Sequence, residues 1–140
     1  MDAIFSIRNL SCSYSRKIEE QVLRIENLDI PKGKIIFLLG ASGSGKSTLL
    51  ETLGLMNNTI AQGDIDFNTS DKISLPALWA TNDQSQLSEV RKKHFSFIFQ
   101  NTNLMENFTA YENVCLSRMI KEDSTQEAVL DSAKALMNKV

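Results

Sequence analysis

The sequence predicts an α/β fold in which an antiparallel β-sheet accompanies a strand, a loop and a helix. Three features lead to this class: alternation over the first thirty residues, an uninterrupted apolar run at 35–39, and a glycine-rich loop that precedes a helical pattern. Strands and helices in this order are typical of α/β proteins. The 140 residues have the size of one domain.

The first thirty residues alternate between apolar and polar side chains, as strands do. Leu10 and Cys12 share one parity, and a second alternating run follows the polar stretch 15–21. Two such runs joined by a polar turn predict an antiparallel pair of strands. The apolar parity changes between Ile25 and Leu28, which predicts a bulge or a bend at that point.

The run Ile35–Leu39 is apolar throughout, which is typical of a strand buried on both faces of a parallel sheet. After the glycine-rich loop, apolar residues recur at helical spacing, and Met56–Asn58 is expected to close that helix. Further apolar residues predict a short strand around Ile65 and another at Phe95–Phe99. Near the end of the chain, one face of an amphipathic helix is predicted from Val129, Ala133, Leu136 and Val140.

Composition excludes several classes of protein. Apolar residues make up 42% and charged residues 23%, and 15 basic against 17 acidic side chains give a net charge of −2. A chain without a basic excess has no overall field that attracts nucleic acid. The two cysteines, Cys12 and Cys115, lack the spacing of a zinc site or a disulfide framework. Since Asp2 stands where a secretory signal carries positive charge, we expect a soluble cytoplasmic protein.

The glycine-rich loop carries the clearest chemical signal. Gly40, Gly45, Lys46 and Ser47 fit the phosphate-binding pattern G-x-x-x-x-G-K-[ST] at every fixed position. Glycines allow backbone N–H groups to surround an anion, and the following helix adds its N-terminus. Lys46 can reach the β- and γ-phosphates, and the Ser47 hydroxyl can bind Mg²⁺. The candidate nucleotide-binding residues in the loop are Gly40, Ala41, Ser42, Gly43, Ser44, Gly45, Lys46, Ser47 and Thr48.

The residues around the loop resemble those of ATP-binding cassette (ABC) ATPases. Residues 40–50 are similar to the phosphate loop of that family, and 97–114 to its Q-loop region. The resemblance implies a partial P-loop NTPase core, an antiparallel β subdomain and the start of a helical subdomain. It implies ATP and Mg²⁺ as cofactors, a Tyr14 ring that stacks on adenine, and a Gln100 amide oxygen near Mg²⁺. Residues 103–114 most resemble the branch that serves lipoprotein release, macrolide export and cell division.

The resemblance also implies a division of the chain. Residues 1–67 would form the antiparallel strands, the phosphate loop and its helix, and residues 68–94, which are largely polar, a surface insertion with one helical turn. Residues 95–114 would form the Q-loop region, and 115–140 the start of the helical subdomain. All 140 residues would then be the N-terminal portion of one ATPase domain.

The family's remaining catalytic motifs do not occur in these 140 residues. There is no LSGGQ-like signature and no run of four apolar residues ending in Asp-Glu. We therefore expect no catalytic residue within this chain, and we expect it to bind ATP without efficient hydrolysis, as a truncated ATPase subunit. The resemblance implies a second ATPase subunit as a dimer partner. A transmembrane permease would contact the segment after Gln100 and hold the protein at the inner face of the membrane.

Two other functions share a phosphate loop. One is the N-terminal half of a DNA-maintenance ATPase head, which would lead into a long heptad repeat. Residues 129–140 provide fewer than two heptads, and Tyr14 favours the transporter interpretation. The other is a small-molecule kinase, which would require arginines placed over the phosphates and a second substrate site that the sequence does not identify.

Overall fold

The structure is a computed structural model that describes residues 2–99, 104–121 and 126–138. The chain divides into two compact units, residues 1–91 and 92–140. The elements follow one another as β1 (Ala3–Cys12), a 3₁₀ turn (Ile18–Glu20), β2 (Leu23–Pro31), α1 (Lys46–Leu53), β3 (Ile60–Asn68), β4 (Lys72–Ser74), α2 (Leu75–Ala80), α3 (Gln84–His94), α4 (Ala110–Lys121) and α5 (Gln126–Met137).

The four strands form one antiparallel sheet in the order β2-β1-β3-β4, which confirms the predicted pair. The predicted bulge between Ile25 and Leu28 is wrong, since the β1–β2 register runs unchanged from the pair Ile7–Leu28 to the pair Leu10–Ile25. Asn9, between Ile7 and Leu10 on β1, has a φ of +48°. The apolar parity therefore changes at the same position along both strands, and their hydrogen-bonded pairing continues across that position.

The core of the first unit lies on one face of this sheet. It combines alternate side chains of β1 with those of β3, and the rings of Phe5 and Phe67 stack with their centroids 4.8 Å apart. Such a pair adds to the stabilisation that apolar burial provides. The buried apolar residues of the two strands are Phe5, Ile7, Leu10, Cys12, Ile65 and Phe67.

The helix after the glycine-rich loop is confirmed, although it is shorter than predicted. It ends at Leu53, and Gly54 follows as the C-cap with its N–H bonded to the Leu50 carbonyl. Leu55 then takes a left-handed conformation with a φ of +58° and is fully buried. A left-handed residue does not continue a right-handed helix, so Met56–Asn58 does not belong to the helix.

Residues 68–94 are more ordered than the predicted surface insertion with one helical turn. They contain a strand, β4, which pairs with β3, and two helices, α2 and α3. The Ser74 hydroxyl accepts a hydrogen bond from the first turn of α2, and the Asp83 carboxylate accepts two from the first turn of α3. These N-caps and the buried Leu75, Leu78 and Leu87 hold the segment in place. The prediction was wrong because the segment is polar in overall composition, whereas its few apolar side chains are buried together.

Two predicted strands are wrong. Neither Ile35–Leu39 nor Phe95–Phe99 forms a strand, and the residues of the first run are between 40% and 87% exposed. A strand exists only where a neighbouring strand accepts and donates its backbone hydrogen bonds. Within the described ranges no strand pairs with residues 35–39, so an apolar composition alone does not make that run a strand.

The second unit contains α4 and α5, which pack through a small cluster of Cys115, Val129 and Ala133. This confirms Val129 and Ala133 on the predicted apolar face of α5, whereas Leu136 is exposed. Val140 lies outside the described residues. Within the described part of the chain, no helix is both long enough and apolar enough to cross a membrane.

Candidate functional site

The glycine-rich loop connects the segment 34–39 to the first turn of α1. Gly43 and Gly45 have φ angles of +78° and +85°, in the left-handed region where L side chains are strained. A Cβ atom at Gly45 would also lie 3.1 Å from the Val22 carbonyl oxygen and 3.2 Å from the Leu23 side chain. The end of the loop therefore packs against the start of β2, and a side chain at Gly45 is excluded on two grounds.

Helix α1 begins without a capping side chain. Gly45 occupies the N-cap position, no side chain there accepts a hydrogen bond, and no acidic residue lies in the first turn. The first N–H groups of a helix have no partner within the helix, and they carry a partial positive charge. The start of α1 thus offers hydrogen-bond donors to an anion.

The Lys46 ammonium group lies against the backbone of its own loop. Its Nζ donates hydrogen bonds of 2.8 Å to the Gly40 carbonyl and 2.6 Å to the Ala41 carbonyl, and it is 3.3 Å from Ser44 Oγ. A phosphate oxygen is a stronger acceptor for an ammonium group than a neutral carbonyl. The lysine is therefore placed where an anion within the loop would attract it.

Ser47 and Thr48 follow the lysine but differ in environment. Ser47 is exposed, as a hydroxyl available to a ligand must be, while Thr48 is 5% exposed. The Thr48 hydroxyl lies 3.1 Å from the hydroxyl of Tyr14, which is 34 residues earlier in the sequence. The fold thus brings Tyr14, just after β1, to the first turn of α1.

Tyr14 presents most of its ring to solvent, with 62% of its surface exposed. The structure therefore assembles all the loop residues named from the sequence, and Tyr14 as well, at one place. Gln100, the last predicted site residue, lies outside the described residues.

A group of buried hydroxyls behind the loop was missed by the sequence analysis. Thr52 Oγ1 donates to the Thr48 carbonyl at 2.6 Å, and it lies 2.6 Å from Thr59 Oγ1. Burial raises the pKa of the neighbouring Cys12 thiol, while side-chain hydrogen bonding with Thr59 and Thr52 opposes that rise. The four-residue spacing of Thr48 and Thr52, on one helix face, is the signal that could have indicated the group.

Comparisons with known proteins connect this site to a family. The family model described as ABC transporter matches residues 23–140, a range that includes the loop, α1 and the helices that follow. The chain belongs to the ABC transporter family. The resemblance identified from residues 40–50 and 97–114 is thereby confirmed, and so is the fold class, an antiparallel sheet with a P-loop NTPase core.

Relatives within the ABC transporter family cover most of this chain. The lipoprotein-releasing system ATP-binding protein LolD of Myxococcus xanthus is 35% identical over 141 residues, which span 99% of this chain and 58% of LolD. The bacitracin export ATP-binding protein BceA of Halalkalibacterium halodurans is 36% identical over 81% of this chain and 42% of BceA. The chain thus spans about half the length of these curated relatives, and they support the predicted lipoprotein-release and export branch.

A solved ABC transporter structure has the same fold. The ATP-binding cassette MJ0796, in a dimeric post-hydrolysis state bound to ADP and Pi, matches with a TM-score of 0.74 and 29% identity. That match covers 94% of this chain and 54% of the solved chain. These comparisons favour the transporter interpretation over the DNA-maintenance head and the small-molecule kinase.

Proposed function

We propose that this chain is the ATP-binding part of an ABC transporter ATPase subunit and that its glycine-rich loop holds MgATP. The observation that carries the proposal is the loop itself, where Lys46 and an uncapped helix start converge within reach of an exposed tyrosine ring. The site fits a nucleotide, because it offers hydrogen-bond donors and a cation for phosphates and an aromatic surface for a base.

Each predicted residue has a proposed role in this site. The backbone N–H groups of the loop 40–45 and of Ser47 and Thr48 would surround the phosphates, and Lys46 would bind the β- and γ-phosphates. The Ser47 hydroxyl and the Gln100 amide oxygen would bind Mg²⁺, which supplies neutralisation of the phosphate charge. The Tyr14 ring would stack on the base.

We further propose that this chain binds ATP but does not hydrolyse it efficiently. Hydrolysis in phosphate-loop enzymes depends on groups that orient the attacking water and stabilise the charge that develops. The 140 residues contain neither an apolar run ending in Asp-Glu nor an LSGGQ-like signature. Steady ATP turnover by the purified chain, retained after contaminating ATPases are removed, would contradict this proposal.

The proposed partners are a membrane permease and a second ATPase subunit. Leu104, Met105 and Phe108, in the segment after Gln100, have exposed apolar side chains that a permease could cover. The relatives LolD and BceA are named for lipoprotein release and bacitracin export, and the cassette MJ0796 is a dimer. By this proposal the protein is cytoplasmic, binds peripherally at the inner face of the membrane, and binds no nucleic acid.

Ligand-dependent stability tests the nucleotide site. MgATP at 100 times its Kd should raise the free energy of unfolding by about 2.7 kcal/mol, which thermal unfolding detects as a higher Tm. Lys46→Ala should lose most of this increase, whereas Lys34→Ala removes an exposed lysine outside the loop and should keep it. Absence of an increase in the folded wild type, or an equal increase in Lys46→Ala, would refute the site.

A further inference from the structure

Ser44 lies at the end of a turn that folds back toward the start of the glycine-rich loop. Its backbone N–H donates to the Ala41 carbonyl at 3.3 Å, which closes a turn of four residues. Gly43, the third residue of that turn, has a φ of +78°, a conformation that glycine adopts without strain. The turn therefore brings residue 44 close to residue 40, where the loop begins.

Gly40 leaves open the space that the Ser44 hydroxyl occupies. A Cβ atom at position 40 would lie 2.8 Å from Ser44 Oγ and 3.9 Å from the Cδ atom of Lys46. The first of these distances is shorter than Cβ atoms tolerate, so a side chain at position 40 and the hydroxyl of Ser44 exclude each other. Because residue 40 is glycine, Ser44 Oγ lies beside the lysine.

All three protons of the Lys46 ammonium group have an acceptor in this arrangement. Its Nζ lies 2.6 Å from the Ala41 carbonyl oxygen, 2.8 Å from that of Gly40 and 3.3 Å from Ser44 Oγ. An ammonium group has three donors, and the three oxygens match that number. A phosphate oxygen that bonds to Lys46 therefore replaces one of them.

The Ser44 hydroxyl is the acceptor that such an oxygen replaces most easily. Its bond is the longest of the three and hence the weakest. Ser44 is exposed, so water satisfies its hydroxyl when the lysine bonds elsewhere. A charged phosphate oxygen is a stronger acceptor for an ammonium group than a neutral hydroxyl. The exchange therefore takes place at the third proton, and Lys46 keeps its bonds to the two carbonyls.

We propose that the Ser44 hydroxyl competes with the phosphate groups of the nucleotide for Lys46 and thereby lowers the affinity of the loop for them. This inference rests on the proposed function, in which Lys46 binds the β- and γ-phosphates. Since the hydroxyl acts through the lysine, Ser44 is a positioning residue that sets the affinity for phosphate. The competition takes place at the phosphates, so the base of the nucleotide has no part in it.

Calorimetric titration with MgATP and with magnesium tripolyphosphate, which lacks the base, measures this competition. Ser44→Ala removes the hydroxyl and keeps the backbone N–H. It should bind both ligands about two- to three-fold more tightly than the wild type, the low end of the range for one hydrogen bond, because this bond is long and exposed to water. Ser44→Thr keeps a hydroxyl and should restore the wild-type affinity. Ser70→Ala, at an exposed serine outside the loop, is the control and should leave both affinities unchanged.

A double variant separates competition for the lysine from a change in the loop itself. Lys46→Ala combined with Ser44→Ala should bind tripolyphosphate no more tightly than Lys46→Ala alone, because the group for which the hydroxyl competes is gone. A gain that persists without the lysine would mean that Ser44 acts on the conformation of the loop, and it would overturn the inference.

The sign of the effect in the single variant decides among the alternatives. Weaker binding of both ligands by Ser44→Ala would assign the hydroxyl to the phosphates as a ligand, and unchanged binding would mean that it competes for nothing. Tighter binding of MgATP alone would place the effect at the base. Each of these three results would overturn the inference and keep the nucleotide site. Failure of the folded wild type and of folded Ser44→Ala to bind either ligand would refute the nucleotide site itself, and the inference with it.

Discussion

The guanidinium Nη1 of Arg91 donates a hydrogen bond of 2.9 Å to the backbone carbonyl of Leu55. Arg91 lies on α3, and Leu55 is the buried residue of left-handed conformation that follows α1. The bond connects residues 36 positions apart. It therefore connects α3, in the segment predicted as a surface insertion, to the C-terminal end of α1, the helix that follows the phosphate loop.

We expect Arg91→Ala to lower the free energy of unfolding by about 1.5 kcal/mol, because the substitution leaves a partly buried carbonyl without its charged donor. Urea unfolding followed by circular dichroism measures this change. Lys93→Ala, at an exposed position of the same helix, is the control and should stay within about 0.5 kcal/mol of the wild type. Equal effects of the two substitutions would mean that the Arg91–Leu55 bond adds nothing to stability.

The start of α4 has a reciprocal cap that makes its stability depend on pH. The Thr109 N–H and hydroxyl donate to Glu112 Oε2 at 2.7 and 2.8 Å, and the Glu112 N–H donates back to Thr109 Oγ1 at 3.2 Å. The backbone N–H of Thr109, and then its hydroxyl, lower the pKa of the Glu112 carboxyl. A pKa lowered by folding stabilises the protein above the unfolded value and loses that contribution as the pH falls through the folded value.

We therefore expect the stabilisation from Glu112 to be complete above about pH 4.3, the usual value for an unfolded glutamate, and to disappear at lower pH. Hydrogen exchange of the α4 amides measures this stabilisation when the wild type and Glu112→Gln are compared above and below this pH. The exchange rates of the two proteins should differ above this pH and become equal well below it. Glu106→Gln, at an exposed carboxyl before α4, is the control, and a difference that stays constant with pH would contradict the prediction.

Asn113 holds the loop that precedes α4. Its Oδ1 accepts the Met105 N–H at 2.8 Å, and its Nδ2, which has two hydrogens, lies 3.0 to 3.2 Å from the carbonyl oxygens of Met105, Phe108 and Thr109. We expect Asn113→Ala to accelerate hydrogen exchange at the Met105 amide about five-fold, since that amide loses its hydrogen-bond acceptor. Asn107→Ala, an exposed asparagine of the same loop, should change this rate little. An unchanged rate in Asn113→Ala would show that the loop keeps its conformation without that side chain.

The exposed run Ile35–Leu39 should cause self-association. Contiguous apolar side chains of high β-propensity tend to pair with other chains when no partner strand covers them. We expect sedimentation velocity to detect association that increases with protein concentration, and Phe37→Glu to reduce it. Ile18→Glu, at an exposed apolar residue of the 3₁₀ turn, should leave the association unchanged. Wild-type chains that remain monomeric from about 1 µM to 1 mM would contradict this prediction.

Much of the phosphate site could be predicted because its determinants are local. The pattern from Gly40 to Ser47 specifies a turn, a helix start and a lysine within eight positions of the chain. Helix α1 depends on bonds between residues four apart, so its apolar spacing predicts it from the same short window. The roles of the loop residues, of Tyr14 and of Gln100 in binding stay predictions, and thermal unfolding of Lys46→Ala with MgATP tests the role of the loop.

The sequence by itself determined the family, the antiparallel pair of β1 and β2, and the loop that begins α1. Only the tertiary structure decided that Tyr14 meets Thr48, that Arg91 meets Leu55, and that the run Ile35–Leu39 has no partner strand among the described residues. The reason is physical: a helix or a turn forms its bonds within a few residues, whereas a strand needs a neighbour that the rest of the fold must supply.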